Sequence, residues 1–429
     1  MSKETRHIPM IALDGPSALS FYRDRFDTER QVEELQHEED STNEDGFYLS
    51  DEDIAYFMSF EEEAPQSFEE DTVYLSELYE HYGFPRLSPA TIAKQNVYGG
   101  LGARGTSQDK ETGLPSLTRS RFRQVSSCST TSRDLKQIPY ENLGLRPPSL
   151  ESPLYLLSSG KRRRRVKNVN SRVCSQALPD GSFKRLGENV LVPSPELTFL
   201  LLARHLSLPE LVAIGMELCG HYRLCGAPTN DLLNSRATVY GCEQLTTPTR
   251  LRNYVESLEG FYGSARALEA CKHIEANSCS PMETVLYLLL CLPRTMGGYG
   301  LRRPSLNVKQ TVSTKAGRVT FSKTLKPDLF WEDYRLDLEY DSDEYHSSAE
   351  ALSKGARRTL ALRVMHVDVI SMTYDIMKDE EAFDVVAHVI ARRLGNRLPP
   401  RSENAKARCR ILRSALLHQQ SYGAMGQSS

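Results

Sequence analysis

The stretch PDLFWEDYRLDLEYDSDEYH, residues 327–346, decides how the C-terminal third of this chain folds. From Tyr334 onwards, apolar residues alternate with charged residues, and a period of two is that of a β-strand. The alternation predicts a charged face formed by Arg335, Asp337, Glu339 and Asp341. It also predicts an apolar face, packed on a core, formed by Tyr334, Leu336, Leu338 and Tyr340.

A second carboxylate is brought to this strand by the apolar run that precedes it. The run at 325–331 contains Asp328, and a turn at Glu332 and Asp333 would fold it back so that Asp328 lies beside Glu339. Clustered carboxylates repel one another unless a cation lies among them, and hard oxygen ligands suit Mg²⁺ or Mn²⁺. Metal-assisted phosphodiester cleavage is the chemistry of such a site. The alternative is an acidic sheet face that is simply solvated.

The order of these motifs resembles a known nuclease family. A PD dipeptide, an E-x-D strand, a histidine and then a helix with paired basic residues are similar to the Vsr-like branch of the PD-(D/E)xK nuclease superfamily. The similarity continues through a strand at 367–375 and a helix at 383–394, and upstream to a helix that carries Glu283. It implies an α/β, three-layer nuclease-like domain at 280–397.

The resemblance implies a role for each matching residue. Asp328, Glu339 and Asp341 would be metal ligands, with Asp341 standing where the superfamily has lysine. Glu283 would add a ligand or support one, and His346 would carry a proton or contact a phosphate. Mg²⁺ or Mn²⁺ would be the cofactor. The family's glycine after E-x-D is replaced by Ser342, and the acids that follow it, Asp343 and Glu344, would repel a phosphate.

Two basic clusters are candidate DNA contacts. On the helix predicted at 347–362, spacings of three and four residues place Lys354, Arg357 and Arg358 on one face. Earlier in the chain, KRRRRVK has six basic residues in seven, starting with Lys161, Arg162, Arg163, Arg164 and Arg165. Each cluster could neutralise phosphates, and each could equally be a solvated surface.

A strong charge asymmetry separates residues 27–80 from the rest of the chain. This segment has 20 Asp and Glu against one Arg, so the formal charge of −3 leaves about +16 elsewhere. The basic remainder suits a polyanionic partner such as DNA. The acidic segment reads as a weakly ordered segment that binds a toxin or another protein, or as short helices docked on the basic body. A sharper hypothesis makes it a DNA mimic that autoinhibits.

Composition divides the chain further. We predict an N-terminal arm at 1–26, an acidic, weakly ordered segment at 27–95 and a loop-rich basic linker at 96–172. A mostly helical middle domain would occupy 173–279, and a tail would follow at 398–429. Segments of the middle region, and ALSFY at 18–22, resemble Abi-type antitoxins. Arg266 is either a phosphate contact or a packing residue.

Several classes are disfavoured by the sequence. The chain has no apolar run of membrane-spanning length and no hydrophobic leader, so the cytoplasm is the expected compartment. Nine irregularly spaced cysteines suggest neither disulfides nor a zinc site. The glycines at 297–300 do not form a P-loop.

Three functions remain after these exclusions, and one of them is a protein–protein adaptor that works through the acidic segment. The chain is predicted to be a metal-dependent DNA endonuclease acting in repair or phage defence. The alternative is a non-catalytic, nucleic-acid-binding antitoxin or transcriptional regulator that keeps the nuclease-like fold.

Overall fold

The structure is a computed structural model that describes residues 11–24, 132–158, 165–174, 176–186, 190–227, 237–320, 322–341 and 349–417, with side chains of 349–354 left out. Within these ranges the chain has mixed α/β content, as the sequence predicts. The acidic segment 27–80, most of the basic run at 161–165, and His346 lie outside them.

The first half of the chain builds a five-stranded sheet. Its strands are β1 (Ile11–Leu13), β2 (Leu154–Ser158), β3 (Val169–Val173), β4 (Phe183–Leu186) and β5 (Val190–Pro193). Their order is β3-β2-β1-β5-β4. The pairs β1/β5 and β2/β3 are parallel, while β1/β2 and β4/β5 are antiparallel. A helix at 15–24 (α1) follows β1 directly.

Five further helices and one β-hairpin belong to the same described part of the chain. The helices are α2 (Ser132–Lys136), α3 (Pro195–Leu202), α4 (Leu208–Leu218), α5 (Pro248–Glu256) and α6 (Ser264–Cys271), and α7 (Pro281–Cys291) leads into the C-terminal part. Strands β6 (Tyr222–Cys225) and β7 (Ala237–Tyr240) form the hairpin. Local sequence explains several helix starts, because Ser194, Thr247 and Ser280 each precede a proline and accept a hydrogen bond from the first turn.

The C-terminal part surrounds a four-stranded sheet. Its order is β13-β12-β11-β8, formed by β8 (Ser305–Leu306), β11 (Leu329–Trp331), β12 (Leu336–Tyr340) and β13 (Asp368–Met372). Only β12 and β13 pair in parallel, and α9 (Ala349–Val364) connects them. The remaining elements are β9 (Gln310–Thr311), α8 (Thr314–Thr320), β10 (Thr324–Leu325), α10 (Tyr374–Lys378), α11 (Glu380–Arg393) and α12 (Glu403–Leu417).

The predicted arm and linker need correction. Residues 11–23 are buried, and β1 lies at the centre of the five-stranded sheet. Strand β2 and most of β3 fall inside the predicted linker, yet Leu154 and Leu156 are 4% and 2% exposed. The region 173–279, predicted as mostly helical, also contains β4 to β7. Each of these strands has only four residues, a length at which a sequence pattern marks a strand weakly.

The predicted tail is also part of the fold. Helix α12 packs against α7, and its Leu412 and Leu416 are 2% and 1% exposed. The buried guanidinium of Arg413 donates to the carbonyl oxygens of Met377 and Lys378. Alanine, cysteine and leucine recur every three or four residues along this helix, which gives it a buried stripe beneath a basic surface.

One hydrophobic cluster runs through most of the described chain. It begins at Ala12, continues through α3, α4 and α7, and reaches Leu416. The predicted boundary between residues 279 and 280 therefore crosses a shared core. No helix in the described ranges has the length and apolar character needed to cross a membrane.

Candidate functional site

The β11–β12 hairpin places the predicted carboxylates side by side. Leu329 pairs with Leu338 in an antiparallel register. Asp328, just before β11, therefore lies opposite Glu339 of β12. Asp328 Oδ2 also accepts a hydrogen bond of 3.0 Å from the backbone N–H of Tyr340, which fixes the carboxylate against β12. The fold-back expected at Glu332 and Asp333 is confirmed as a 3-10 turn at Glu332–Tyr334.

Arg358 of α9 joins the two carboxylates. Its Nη2 lies 2.9 Å from Glu339 Oε1 and 3.3 Å from Asp328 Oδ1. The Arg358 side chain is 34% exposed, whereas those of Asp328 and Glu339 are 14% and 16% exposed. The sequence predicted Arg358 as a phosphate contact on a basic helix face. The structure instead turns it inward, onto the acidic pair.

Asp337 is buried more deeply than the rest of the acidic face. It is 0% exposed, and neither carboxylate oxygen has a hydrogen-bond partner within the described part of the chain. In the sheet it lies between Phe330 and Val369. These two residues belong to a separate apolar cluster that also contains Ala361 and Leu362, near the end of α9. Burial, and then the neighbouring Glu339, raise the pKa of Asp337 to about 11. The carboxyl therefore holds its proton at neutral pH.

Glu283 reaches the same cluster from the start of α7. Its Oε2 accepts hydrogen bonds from the backbone N–H of Cys279 at 2.9 Å and from Asn307 Nδ2 at 2.5 Å. Burial raises the pKa of Glu283, and the charge of Glu339 raises it further. The predicted association of Glu283 with the hairpin is thus present. Sequence analysis missed Asn307, whose backbone at φ 51° bends the chain beside Asp328.

The carboxylates act on one another through a poorly solvated space. Burial raises the pKa of Asp328 well above its ordinary value, and the charges of Glu339 and Glu283 add to that effect. Burial alone would lower the pKa of Arg358, but the carboxylates more than offset it and raise that pKa. The cluster favours whatever positive charge enters it.

Other predicted residues are placed less directly. Asp341 follows the last residue of β12, is half-buried, and donates its backbone N–H to Met372. His346, Lys161, Arg162, Arg163 and Arg164 lie outside the described residues, as does the side chain of Lys354. Arg357 is half-buried on α9, and Arg165 is exposed just before β3. For these residues the roles implied by the sequence remain predictions.

Arg266 and the glycine-rich loop have packing roles. Arg266 Nη1 donates to the carbonyl oxygens of Ala203 and Leu206 at 3.2 and 3.0 Å, which ties α6 to the end of α3. A Cβ at Gly297 would lie 2.4 Å from the carbonyl oxygen of Arg408 in α12. Close packing of the loop against that helix accounts for the glycine.

The acidic pair suits a divalent cation bound by few protein ligands. Within the described ranges, no group of three or more His, Cys, Asp and Glu side chains is arranged to hold a metal ion. Mg²⁺, however, is commonly held by one or two carboxylates, with waters and substrate oxygens completing its shell. Asp328 and Glu339 converge on a single nitrogen atom, so their oxygens already flank one position occupied by a cationic group. These two residues fit Mg²⁺ or Mn²⁺ in this manner.

Comparisons of the chain with protein-family models, with curated proteins and with solved structures found no match.

Proposed function

We propose that the protein is a divalent-metal-dependent nuclease that hydrolyses phosphodiester bonds in DNA. The observation that carries this proposal is the pair formed by Asp328 and Glu339, which a hairpin holds together in a half-closed space against electrostatic repulsion. Arg358 contributes one positive charge against the two carboxylates, and a divalent ion would balance the pair more fully. The resemblance of the sequence to Vsr-like PD-(D/E)xK nucleases also supports the proposal.

In the proposed mechanism, Asp328 and Glu339 hold Mg²⁺ or Mn²⁺. A bound ion of this kind supplies an activated water and offsets the charge that develops on the phosphoryl oxygens. Glu283 and Asn307 orient the cluster through their hydrogen bond. With a divalent ion bound, Arg358 would be displaced from the carboxylates, and its guanidinium would be free to contact the substrate phosphate. Asp341 and His346, at the end of the strand and beyond it, assist in ligation and proton transfer.

A second function is supported by the ion pair itself. Arg358 already satisfies part of the negative charge of Asp328 and Glu339, and a permanent salt bridge would keep a divalent ion out. In that case the protein is a nucleic-acid-binding regulator that retains a nuclease-like scaffold, as the Abi-type resemblance upstream suggests. It would bind DNA without cutting it.

The two functions are separated by incubating the purified full-length chain with supercoiled plasmid and Mg²⁺ or Mn²⁺. We expect nicked or linear product, and we expect Asp328→Asn and Glu339→Gln to reduce its rate at least about 100-fold, since each removes a metal ligand. Asp333→Asn is the matched control, because Asp333 is an exposed aspartate on the same hairpin. Its rate should be unchanged.

Cleavage that persists in both Asp328→Asn and Glu339→Gln would overturn the proposed nuclease site. DNA binding by the wild-type chain with no cleavage in either metal would support the regulator. A gel-shift measurement on the same samples distinguishes that result from a chain that does not bind DNA.

A further inference from the structure

A second polar cluster lies on the five-stranded sheet, away from the hairpin. Asp14, at the end of β1, is 1% exposed and accepts hydrogen bonds from the backbone N–H of Gly15 at 2.7 Å and from Arg172 Nη2 at 2.5 Å. Arg172 projects from β3 and is 9% exposed. This ion pair neutralises Asp14, but it uses only the Nη2 atom of the Arg172 guanidinium.

Two buried nitrogen atoms in this cluster lack a hydrogen-bond partner in the described part of the chain. Arg172 Nη1 and His205 Nε2 are both shielded from solvent, and neither has a hydrogen-bond partner among the residues that the structure describes. The ring of His205 packs edge-on against Tyr155, with 5.9 Å between ring centroids. Buried polar atoms in folded proteins nearly always have a hydrogen-bond partner, so these two nitrogens are candidates to bind a ligand.

The charge of the cluster decides what kind of ligand it would take. Arg204 follows α3 and lies near Arg172; burial lowers the pKa of Arg204, and the charge of Arg172 lowers it further. Burial also lowers the pKa of His205 to about 4, so this imidazole is neutral at pH 7. Arg172 is paired with Asp14, so the half-buried guanidinium of Arg204 leaves the cluster with a net positive charge. An anion would balance it.

The cluster has an accessible edge. The guanidinium of Arg204 lies 3.9 Å from the ring centroid of Tyr262, and Tyr262 is 57% exposed. Arg204 is itself half-buried, so it lies between solvent and the deeper Arg172. A small anion would approach on the side of Arg204 and Tyr262, where the cluster is exposed.

We infer that Arg172, Arg204 and His205 form a binding site for a phosphate group, either inorganic phosphate or the terminal phosphate of a phosphomonoester. Arg172 Nη1 donates to one phosphate oxygen, and Arg204 supplies charge at the entrance. Neutral His205 exchanges a hydrogen bond with a further oxygen, since a phosphate can be donor and acceptor. Asp14 stays paired with Arg172 and keeps it oriented. This site is independent of the nuclease proposal.

Isothermal titration calorimetry on the full-length chain tests this inference with inorganic phosphate, at constant ionic strength set with chloride. We expect binding in the millimolar range or tighter. Arg204→Gln and His205→Gln should each weaken it about tenfold or more, as expected for losing a hydrogen bond to a charged ligand. Lys184→Gln, an exposed cation on β4 of the same sheet, should leave it unchanged.

Arg172→Lys provides a variant that preserves folding, because lysine keeps a positive charge for Asp14 but lacks the second nitrogen of the fork. It should weaken phosphate binding to a similar degree. A second set of titrations compares a short single-stranded oligonucleotide bearing a 5′-phosphate with the same oligonucleotide bearing a 5′-hydroxyl. A preference for the 5′-phosphate that is lost in Arg204→Gln identifies a phosphomonoester; otherwise free phosphate is the ligand.

The inference would be overturned if the wild-type protein bound no phosphate at about 20 mM, a concentration about 20-fold above a Kd of about 1 mM. So would binding that Arg204→Gln, His205→Gln and Arg172→Lys all leave unchanged while circular dichroism shows them folded.

Discussion

At the residue scale, the acidic face of β12 divides into side chains with different tasks. Glu339 faces the space shared with Asp328 and Arg358, while Asp337, two residues earlier, is covered by apolar groups from α9 and its neighbouring strands. Alternation in the sequence predicted one face for both residues. It could not predict that α9 would bury only part of that face, because burial depends on a helix packed across it.

The protonated state of Asp337 predicts how stability depends on pH. Its pKa is raised from 3.8 to about 11 in the folded chain, so the folded state binds more protons than the unfolded state between those values. The stabilisation that this proton provides is therefore fully present below about pH 4. It is lost as pH rises, by at most about 1.4 kcal/mol of unfolding free energy per pH unit for one proton. Asp337→Asn removes this group and should flatten the slope.

Urea unfolding at pH 5, 7 and 9 without divalent ions would measure that slope. Asp333→Asn, on the exposed turn, is the control. The raised pKa values of Asp328 and Glu283 contribute slope of the same sign, so Asp337→Asn should reduce the dependence without removing it. Equal slopes in Asp337→Asn and the wild type would show that Asp337 is ionised in the folded protein.

Arg358 gives the second residue-scale prediction. In Arg358→Gln, the pair of Asp328 and Glu339 loses its cation, and we expect a loss of about 1–2 kcal/mol without divalent ions because the arginine is partly exposed. Since the competing charge is gone, Mn²⁺ should raise the melting temperature of Arg358→Gln more than that of the wild type.

Differential scanning fluorimetry with and without Mn²⁺ tests this, with Arg363→Gln as the control on an exposed part of α9. If Mn²⁺ shifts the wild type and Arg358→Gln equally, Arg358 and the ion do not compete for the same carboxylates.

At the scale of elements, the sequence predicted those helices and strands whose residues carry a local periodic pattern. The β11–β12 hairpin, α9, β13 and α11 follow from alternation or helical spacing, and the structure has each of them. Helix α12 was missed because its many basic residues conceal the stripe formed by Cys409, Leu412 and Leu416. Sequence alone also cannot show that Gly297 packs against α12.

Glycine substitutions test this packing and should act in opposite directions. A Cβ at Gly297 would meet the backbone of Arg408, and its φ of 94° is unfavourable for other residues, so Gly297→Ala should cost about 3 kcal/mol. Gly355 lies inside α9 with open space around its Cα. Gly355→Ala should instead stabilise by about 0.5–1 kcal/mol.

Chemical unfolding of both variants against the wild type gives the two signs. A neutral Gly297→Ala would mean that α12 does not pack closely on the loop in solution.

At the scale of the whole molecule, the five-stranded sheet is what sequence reasoning could least anticipate. Strand β1 has three residues, and its partners start at Leu154 and Val190. Pairings over such separations depend on the complete fold, and an apolar triplet such as Ile11–Leu13 does not specify them. The shared hydrophobic cluster then joins this sheet to the hairpin region, which composition had divided into separate domains.

Charge distribution gives a prediction at this scale. Deleting residues 27–80 changes the formal net charge from −3 to about +16. If the acidic segment competes with DNA for the basic remainder, the deletion should strengthen DNA binding at least about tenfold at low salt, with a smaller difference at high salt. Fluorescence anisotropy with a labelled duplex measures this.

A graded control replaces Glu61, Glu62 and Glu63 with glutamine, which keeps the segment and its length but removes three charges. It should give an intermediate affinity. Unchanged affinity after the full deletion would remove the autoinhibition hypothesis and leave the acidic segment as a site for a protein partner.

The pairing of Leu329 with Leu338 has one more consequence. Side chains on neighbouring positions of a strand point in opposite directions, so a slip of a single position would exchange the leucines of β12 for its acids. Acidic side chains would then enter the hydrophobic core, and Asp328 would lie opposite a leucine side chain. Any sequence change that alters the length of the turn at Glu332–Tyr334 would thus disturb both the packing of β12 and the pairing of Asp328 with Glu339.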